Sequence, residues 1–402
     1  SRCPRRPSSR RSGWMPTTER PDSPAVFDRA AGQKAAYVHI PFCARVCPYC
    51  DFAVVGDRSD EIGRYVDALI AEIERDEPLA PLDAVFVGGG TPSLLPRGAL
   101  ASILGALADR HGLVGDPEIT MEANPEDWTA VRSEVFLDEG LNRVSFGAQS
   151  TDPRVLSALG RRHGPREVGA AVAAARRSGI RSVSVDLIFG HPVETDASWQ
   201  RTLEEVVELG PDHVSTYALT VERGTPLSRW VAEGSPAPDP DTQAARWEQA
   251  VETLGAAGYV RYEVSNHANP GHQCLYNLGA WAGAEYVAYG VGAHGHRNGS
   301  RFRNVRSLDA YLAKVEVGES PRQGSDEVRG WEAEVERLFT GLRVTAGVPG
   351  GRAVKAFMES DDGRRLAELG VIDRVGGRLV VRKPLFTDAV ARDVLGLLEM
   401  AP

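Results

Sequence analysis

Three cysteines, Cys43, Cys47 and Cys50, fall within eight residues in the segment AAYVHIPFCARVCPYCDF. A C-x3-C-x2-C spacing brings three thiols to one centre, and a 402-residue chain with only five cysteines does not carry a disulfide framework. Four chemistries compete for this loop. Cys47-Pro-Tyr-Cys50 alone reads as a redox dithiol, which leaves Cys43 unused. A structural zinc could take His39 or Cys274 as its fourth ligand, although the paired-knuckle spacing is absent. The three could be unrelated structural thiols. The fourth chemistry is an iron–sulfur cubane, which normally takes four thiolates, so that three leave one iron open to an outside ligand.

Other polar residues fall at the ends of apolar runs. Val87-Gly88-Gly89-Gly90-Thr91-Pro92-Ser93 is either a plain turn or a place where a ligand approaches bare backbone. Glu122 stands in Met-Glu-Ala-Asn-Pro, Gln149 in Phe-Gly-Ala-Gln-Ser, Arg161 in Leu-Gly-Arg-Arg-His, and Asp186 inside the apolar run VSVDLIFGHP. An acid there is costly unless paired, so Arg161 is its expected partner.

The elements that must position these residues alternate. Strands are expected at 35–40, 84–88, 118–122, 143–147, 182–188 and 213–219, with amphipathic helices at 60–76, 99–110, 131–139, 166–178 and 198–208. Strand–helix repetition implies an α/β fold with a parallel sheet, either doubly wound or a full or partial barrel. Both place chemistry at the C-terminal ends of the strands. After Val221 the pattern breaks into Gly/Pro-punctuated text, with one helix at 242–257 and an irregular stretch to Asn304. From Val328 a small helical unit resumes, with a hairpin at 372–381 turning at Gly376-Gly377 and a helix at 386–399, a winged-helix-like arrangement.

The first fourteen residues carry five arginines and no acid, and read as a disordered tail before Met15 that sets Cys3 apart from the fold. The whole chain has a net charge of −9 and no apolar run long enough for a membrane helix. That balance excludes a nucleic-acid groove as the main surface and points to a cytoplasmic protein.

Taken together, YVHIPFC-x3-CPYCDF, VGGGTPS, MEANP, RVSFGAQS, LGRRH and VDLIFG resemble the coproporphyrinogen-dehydrogenase-like branch of the radical S-adenosylmethionine superfamily. The resemblance covers roughly residues 35 to 220. It implies a partial (β/α)6 TIM-like barrel over residues 35–230, an extension over 231–325, a small winged-helix-like domain over 326–402, and a non-core segment over 1–34. It also implies a [4Fe–4S] cluster on Cys43, Cys47 and Cys50, whose open iron chelates S-adenosylmethionine and whose electron cleaves it to methionine and a 5′-deoxyadenosyl radical. Tyr37, Gly89, Gly90, Thr91, Glu122, Gln149, Arg161 and Asp186 then fall on positions for the nucleoside and methionine parts, with Tyr49 beside cluster and adenine.

Within that branch the dehydrogenases carry a further cysteine where this chain has Phe52. Cys-Pro-Tyr-Cys-Asp-Phe and YEVSNHANPGHQC look instead like the HemW haem chaperones, which implies haem or a porphyrin as ligand, a haem-accepting protein, and a flavodoxin or ferredoxin as electron donor. The family's H-N-x-x-Y-W reads Tyr276-Asn-Leu-Gly-Ala-Trp281 here, so Tyr276, Cys274 or His272 is the expected haem ligand. The alternative is an oxygen-independent coproporphyrinogen III dehydrogenase or a radical enzyme with another substrate. Gly290-x-Gly292-x-x-Gly295 fits a dinucleotide fingerprint but lacks the helix that must follow it, and is rejected. His294 and His296 are read as structural or as an outer wall of the cofactor site.

Overall fold

The computed structural model describes residues 19–400; Cys3 and the arginine-rich tail lie outside them. All six expected strands form, as β1 Lys34–Ile40, β2 Leu82–Gly89, β3 Leu113–Ala123, β4 Arg143–Gln149, β5 Ser182–Phe189 and β6 His213–Ala218. They pair in parallel in sequence order. Helices Ile62–Arg75, Ala99–His111, Ala130–Asp138, Pro165–Ser178 and Asp196–Leu209 follow the first five strands.

The side-chain alternation explains the curvature. Parallel strands covered on both faces by apolar layers read as continuous apolar runs, whereas these strands alternate. Val38, Val85, Met121, Val144, Val183 and Val214 are fully buried in one core with the helix residues Leu69, Leu107, Val172 and Leu203. The opposite parity carries His39, Glu122, Arg143, Ser184, Asp186 and His213. One face of the sheet packs on helices, and the other is a polar lining for a partial barrel.

Two sequence expectations require correction. Residues 1–34 are not all outside the core. Pro24–Ala30 is a helix, with the Ser23 side chain accepting from Val26 N–H and Pro24 in the first turn, and it packs Val26, Phe27 and Ala30 against Tyr262, Leu278 and Val344. Its three buried residues give too little periodicity to stand out from the sequence.

The stretch up to Asn304 is likewise not irregular. Val260–Arg261 and Asn266–Ala268 extend the sheet beyond β6. The helix Leu275–Trp281 follows, and Glu285–Tyr289 then pairs in parallel with the far side of β1. His294–Arg297, Ser300–Asn304 and Arg322–Glu327 complete a 12-stranded sheet. These strands are too short for a periodic signal, but Asn298-Gly299, both at positive φ, is the turn pair of a tight hairpin and was readable as one.

The glycines of the rejected dinucleotide motif answer close contacts. A Cβ on Gly290 would meet the Tyr65 hydroxyl at 2.3 Å, and one on Gly292 would meet Ala53 Cβ, in the cysteine loop, at 2.6 Å. The motif buttresses that loop.

The C-terminal unit has its own core of Val335, Leu338, Phe357, Leu366, Leu379 and Val390. Its three-stranded sheet, ordered Val348–Pro349, Arg378–Val381, Ile372–Val375, turns at Gly376-Gly377 and bears on the N-terminal helix through the Arg378–Asp28 ion pair at 2.9 Å. Among the described residues no helix is long and apolar enough to cross a membrane.

The extension is fastened to the barrel by a buried ion pair. Arg246, on the helix Pro240–Ala256, donates from Nη1 to Glu194 Oε2 at 2.8 Å, with side chains 5% and 1% exposed. Removing one member strands the other charge, so Arg246→Met is expected to cost about 3–5 kcal/mol in urea unfolding, and Glu194→Leu added to it to recover most of that loss. Additive losses in the double variant would refute the pairing.

Candidate functional site

At the C-terminal ends of the strands lies a cavity of about 410 Å³, walled by the cysteine loop, the glycine turn after β2, and the ends of β3–β6. Cys43, Cys47 and Cys50 line it, and none forms a disulfide. Burial pushes the Cys50 thiol up to about 11 and raises that of Cys43.

The loop is held from beneath. His39 Nε2 donates to the Ala53 carbonyl at 2.9 Å, which leaves Nδ1 to accept the Tyr37 hydroxyl at 3.0 Å. Burial keeps this imidazole neutral, with its pKa lowered to about 4. Both ring nitrogens are therefore engaged, and Cys274 lies under the barrel beside Glu118, so neither residue can complete a zinc site on the loop.

The glycine turn is tied to the same loop. Gly90 N–H donates to Ile40 O and Thr91 N–H to Phe42 O, both at 2.8 Å. A Cβ on Gly90 would stand 2.7 Å from Phe42 O, and one on Gly89, at φ +112°, would stand 2.5 Å from the His39 ring. These glycines let the end of β2 pass directly against the loop, a stronger requirement than a plain turn imposes.

One hydrogen-bonded chain links two of the thiols. Thr91 Oγ1 donates to Cys43 Sγ at 3.6 Å and accepts from Asn124 Nδ2 at 3.1 Å. Arg161 donates to Asn124 Oδ1, to Gly147 O at 2.9 Å and to Cys47 Sγ at 3.4 Å. The donor set fits an iron–sulfur cluster: three unpaired sulfurs on one loop receive N–H and O–H donors, with no fourth side-chain ligand among them. Sequence reading gave Asn124 no role of its own, although it lies two residues beyond Glu122 and shares its inward parity.

Gln149 reaches the cavity from a bulge. The β4–β5 register shifts between Gly147 and Gln149, and Gln149 takes φ +64°, a conformation uncommon outside glycine. His163, the last residue of LGRRH, donates from Nε2 to Ala148 O at 2.8 Å and secures this bend. Tyr49 packs with Val155, Leu159 and Leu227 on the cavity's flank.

Two carboxylates sit deeper. Burial raises Glu122 to about 7, with repulsion from Asp186 adding to it and the Gly89 N–H, at 2.9 Å, opposing it. Asp186 is also raised by burial, and accepts from Ser215 Oγ at 2.6 Å, Ser145 Oγ at 2.8 Å and Ser184 Oγ at 3.4 Å. Asp186 is thus held by three serines and not by Arg161, contrary to the expected pairing; Arg161 is occupied by the loop sulfur and two oxygens. Thiols at the rim and carboxylates at the floor suit a cationic ligand of small-molecule size.

Four expected site residues do not reach this cavity. Tyr37 is turned into the barrel, its hydroxyl on His39 and its ring stacked on Phe86 and Tyr276 at 6.2 and 5.9 Å. It positions the loop from below. Tyr276 is packed among Tyr37, Phe86 and Tyr286. Cys274 is 2% exposed, and the neighbouring Leu275 N–H is capped by Glu118 Oε1 at 2.9 Å. His272 Nδ1 meets Ser182 Oγ at 3.2 Å, at the start of β5. These last three, the expected haem ligands, lie on a helix and loop that plug the bottom of the barrel, at the end opposite the cysteine loop. His294 lies on the added hairpin, outside the cavity lining, and His296 faces the Ala284 carbonyl at 3.3 Å.

Comparison with known proteins agrees with this architecture. Residues 37–206 match the Radical SAM superfamily model. A protein of Mycobacterium tuberculosis named Heme chaperone HemW is 39% identical over 373 residues, covering 90% of this chain and 94% of the relative. One of the same name from Bacillus subtilis is 33% identical over 356 residues, covering 84% and 92%. In fold, the Escherichia coli coproporphyrinogen III oxidase HemN superposes with a TM-score of 0.78 over 92% of both chains at 20% identity. The chain belongs to the radical S-adenosylmethionine superfamily, in its HemW branch, and that membership implies a [4Fe–4S] cluster and S-adenosylmethionine.

Proposed function

We propose that this protein binds haem and passes it to an acceptor protein in the cytoplasm, with a cluster on Cys43, Cys47 and Cys50 and S-adenosylmethionine in the 410 Å³ cavity. The observation that carries this reading is the end-to-end similarity to proteins named Heme chaperone HemW. One feature of the site supports it. Phe52, 61% exposed on the cavity rim, stands where the dehydrogenase pattern has another cysteine.

The cluster, when bound, supplies one-electron chemistry, with a flavodoxin or ferredoxin as the donor. The chain's own groups bind and orient: Glu122 takes the ammonium of the cosubstrate, Asp186 and Gln149 its polar groups, Gly89 and Gly90 offer backbone, and Tyr49 flanks the adenine. Thr91 and Arg161 hold the thiolates. In this division residues 35–230 serve the cosubstrate, 231–325 brace the barrel, and 326–402 form a docking unit.

The test is anaerobic cluster reconstitution followed by hemin titration and incubation with coproporphyrinogen III. A hemin absorbance shift, transfer to an apo-haem protein and no protoporphyrinogen are expected. Tyr276→Phe is expected to bind hemin unchanged, since its ring is internal to the barrel plug. Protoporphyrinogen formation would replace this reading with the dehydrogenase.

A further inference from the structure

The segment YEVSNHANPGHQC contributes no residue to the cavity lining, yet a hydrogen-bonded chain runs from its two ends to the cavity floor. Cys274 N–H donates to the Tyr262 hydroxyl oxygen at 3.3 Å. That hydroxyl has one other partner among the described residues, His213 Nε2 at 2.8 Å, with the two rings 5.7 Å apart. His213 opens β6 and stands in register with Ser184 on β5, whose Oγ is 2.8 Å from Nδ1. Ser184 Oγ meets Asp186 Oδ1, on the cavity floor, at 3.4 Å. Tyr262, His213 and Ser184 are all buried.

The chemistry of these groups orients every proton in the chain. The phenol oxygen accepts from Cys274 N–H, and a buried O–H left unpaired is costly, so the Tyr262 proton goes to His213 Nε2. Burial, with the Arg143 charge nearby, keeps the imidazole neutral, and a neutral ring that accepts at Nε2 carries its proton on Nδ1. Nδ1–H then donates to Ser184 Oγ. A serine hydroxyl has one proton, and with its histidine side receiving, that proton is left for Asp186. Asp186 forms no ion pair among the described residues, and a carboxylate so buried keeps its charge by accepting hydrogen bonds.

We infer that His213 is a positioning residue for the cosubstrate: through Ser184 it keeps a donor turned onto Asp186, and Tyr262 fixes the tautomer that makes this possible. The extension thereby sets the floor of the cavity from beneath without touching the ligand. This role rests on the proposed binding of S-adenosylmethionine by Asp186.

The test has two readouts. NMR of the full chain, isotope-labelled at histidine nitrogen, is expected to show His213 as the Nδ1–H tautomer, assigned by its loss in His213→Asn. In the cluster-reconstituted protein, equilibrium dialysis should show affinity for S-adenosylmethionine lowered about 10- to 100-fold by Asp186→Asn, as for a lost charged hydrogen bond, and about three- to tenfold by His213→Leu. His213→Asn keeps an N–H near the Nδ1 position and should recover most of that loss. If His213 only filled space, leucine would be the better substitute and asparagine the worse. Tyr262→Phe, which keeps the ring, should lower affinity about threefold and carries the test if His213→Leu does not fold. An Nε2–H tautomer, wild-type affinity in His213→Leu or Tyr262→Phe, or equal losses in His213→Asn and His213→Leu would overturn the role of His213 alone. Wild-type affinity in Asp186→Asn would overturn the assignment of Asp186 and the role of His213 with it.

Discussion

Cys47→Ala is expected to give a folded protein that holds no iron. The loop stands outside the apolar core, so the substitution removes no core volume; what it removes is one of three sulfurs, and the remaining two cannot retain a cubane. Iron and sulfide analysis after anaerobic reconstitution, with the visible spectrum, should fall to background while far-ultraviolet circular dichroism is unchanged. Cys274→Ala is the control: its thiol is buried under the barrel, so that variant should lose some stability and keep its full iron content. Wild-type iron in Cys47→Ala would refute the ligand assignment.

Glu122→Gln is expected to make the protein more stable and a weaker binder of S-adenosylmethionine. Burial raises the Glu122 pKa from 4.5 to about 7, so the folded state holds its proton more tightly than the unfolded chain. The resulting penalty is absent below pH 4.5, grows as pH rises to 7 and is constant above that, at up to about 3 kcal/mol. Glutamine keeps an oxygen for the Gly89 N–H and removes the charge, so unfolding above pH 7 should show the gain and unfolding at pH 4 should not. Affinity for the cosubstrate should fall about 10- to 100-fold, as for a lost charged hydrogen bond. Wild-type affinity should likewise decline below pH 7, where Glu122 takes up its proton. An equal stability gain at both pH values would show that charge burial is not the cause.

The parts of this fold legible in the sequence are those whose signal is local. The six barrel strands announce themselves by an apolar outward parity, and the cysteine loop, Glu122 and Gln149 follow from their place at strand ends, with Arg161 in the connection after β4. What was not legible depends on contacts between distant segments. Asp186 looked like the partner of Arg161 because both are charged, but the chain folds three serines from β4, β5 and β6 around it, and no sequence spacing records that convergence. Nor does the sequence show that Tyr276, which stands where the family pattern has a histidine, packs in an aromatic plug with Tyr37 and Phe86. The N-terminal helix and the strands of residues 260–304 are too short for periodicity to speak; the helix is fixed by packing on Tyr262, Leu278 and Val344, and the strands by the sheet edges they meet.

Those sheet edges bear on synthesis. The strand Glu285–Tyr289 covers the exposed side of β1, and Asn266–Ala268 covers that of β6, so one late segment of the chain seals both ends of a sheet whose first strand was made some 250 residues before. While a ribosome is still translating that segment, β1 through β6 present two unpaired parallel edges, the surfaces that recruit other strands into aggregates. The nascent barrel therefore keeps the β1 edge open until residue 289 has emerged. A fragment ending at residue 230 would keep every cluster and cosubstrate residue and lack both seals.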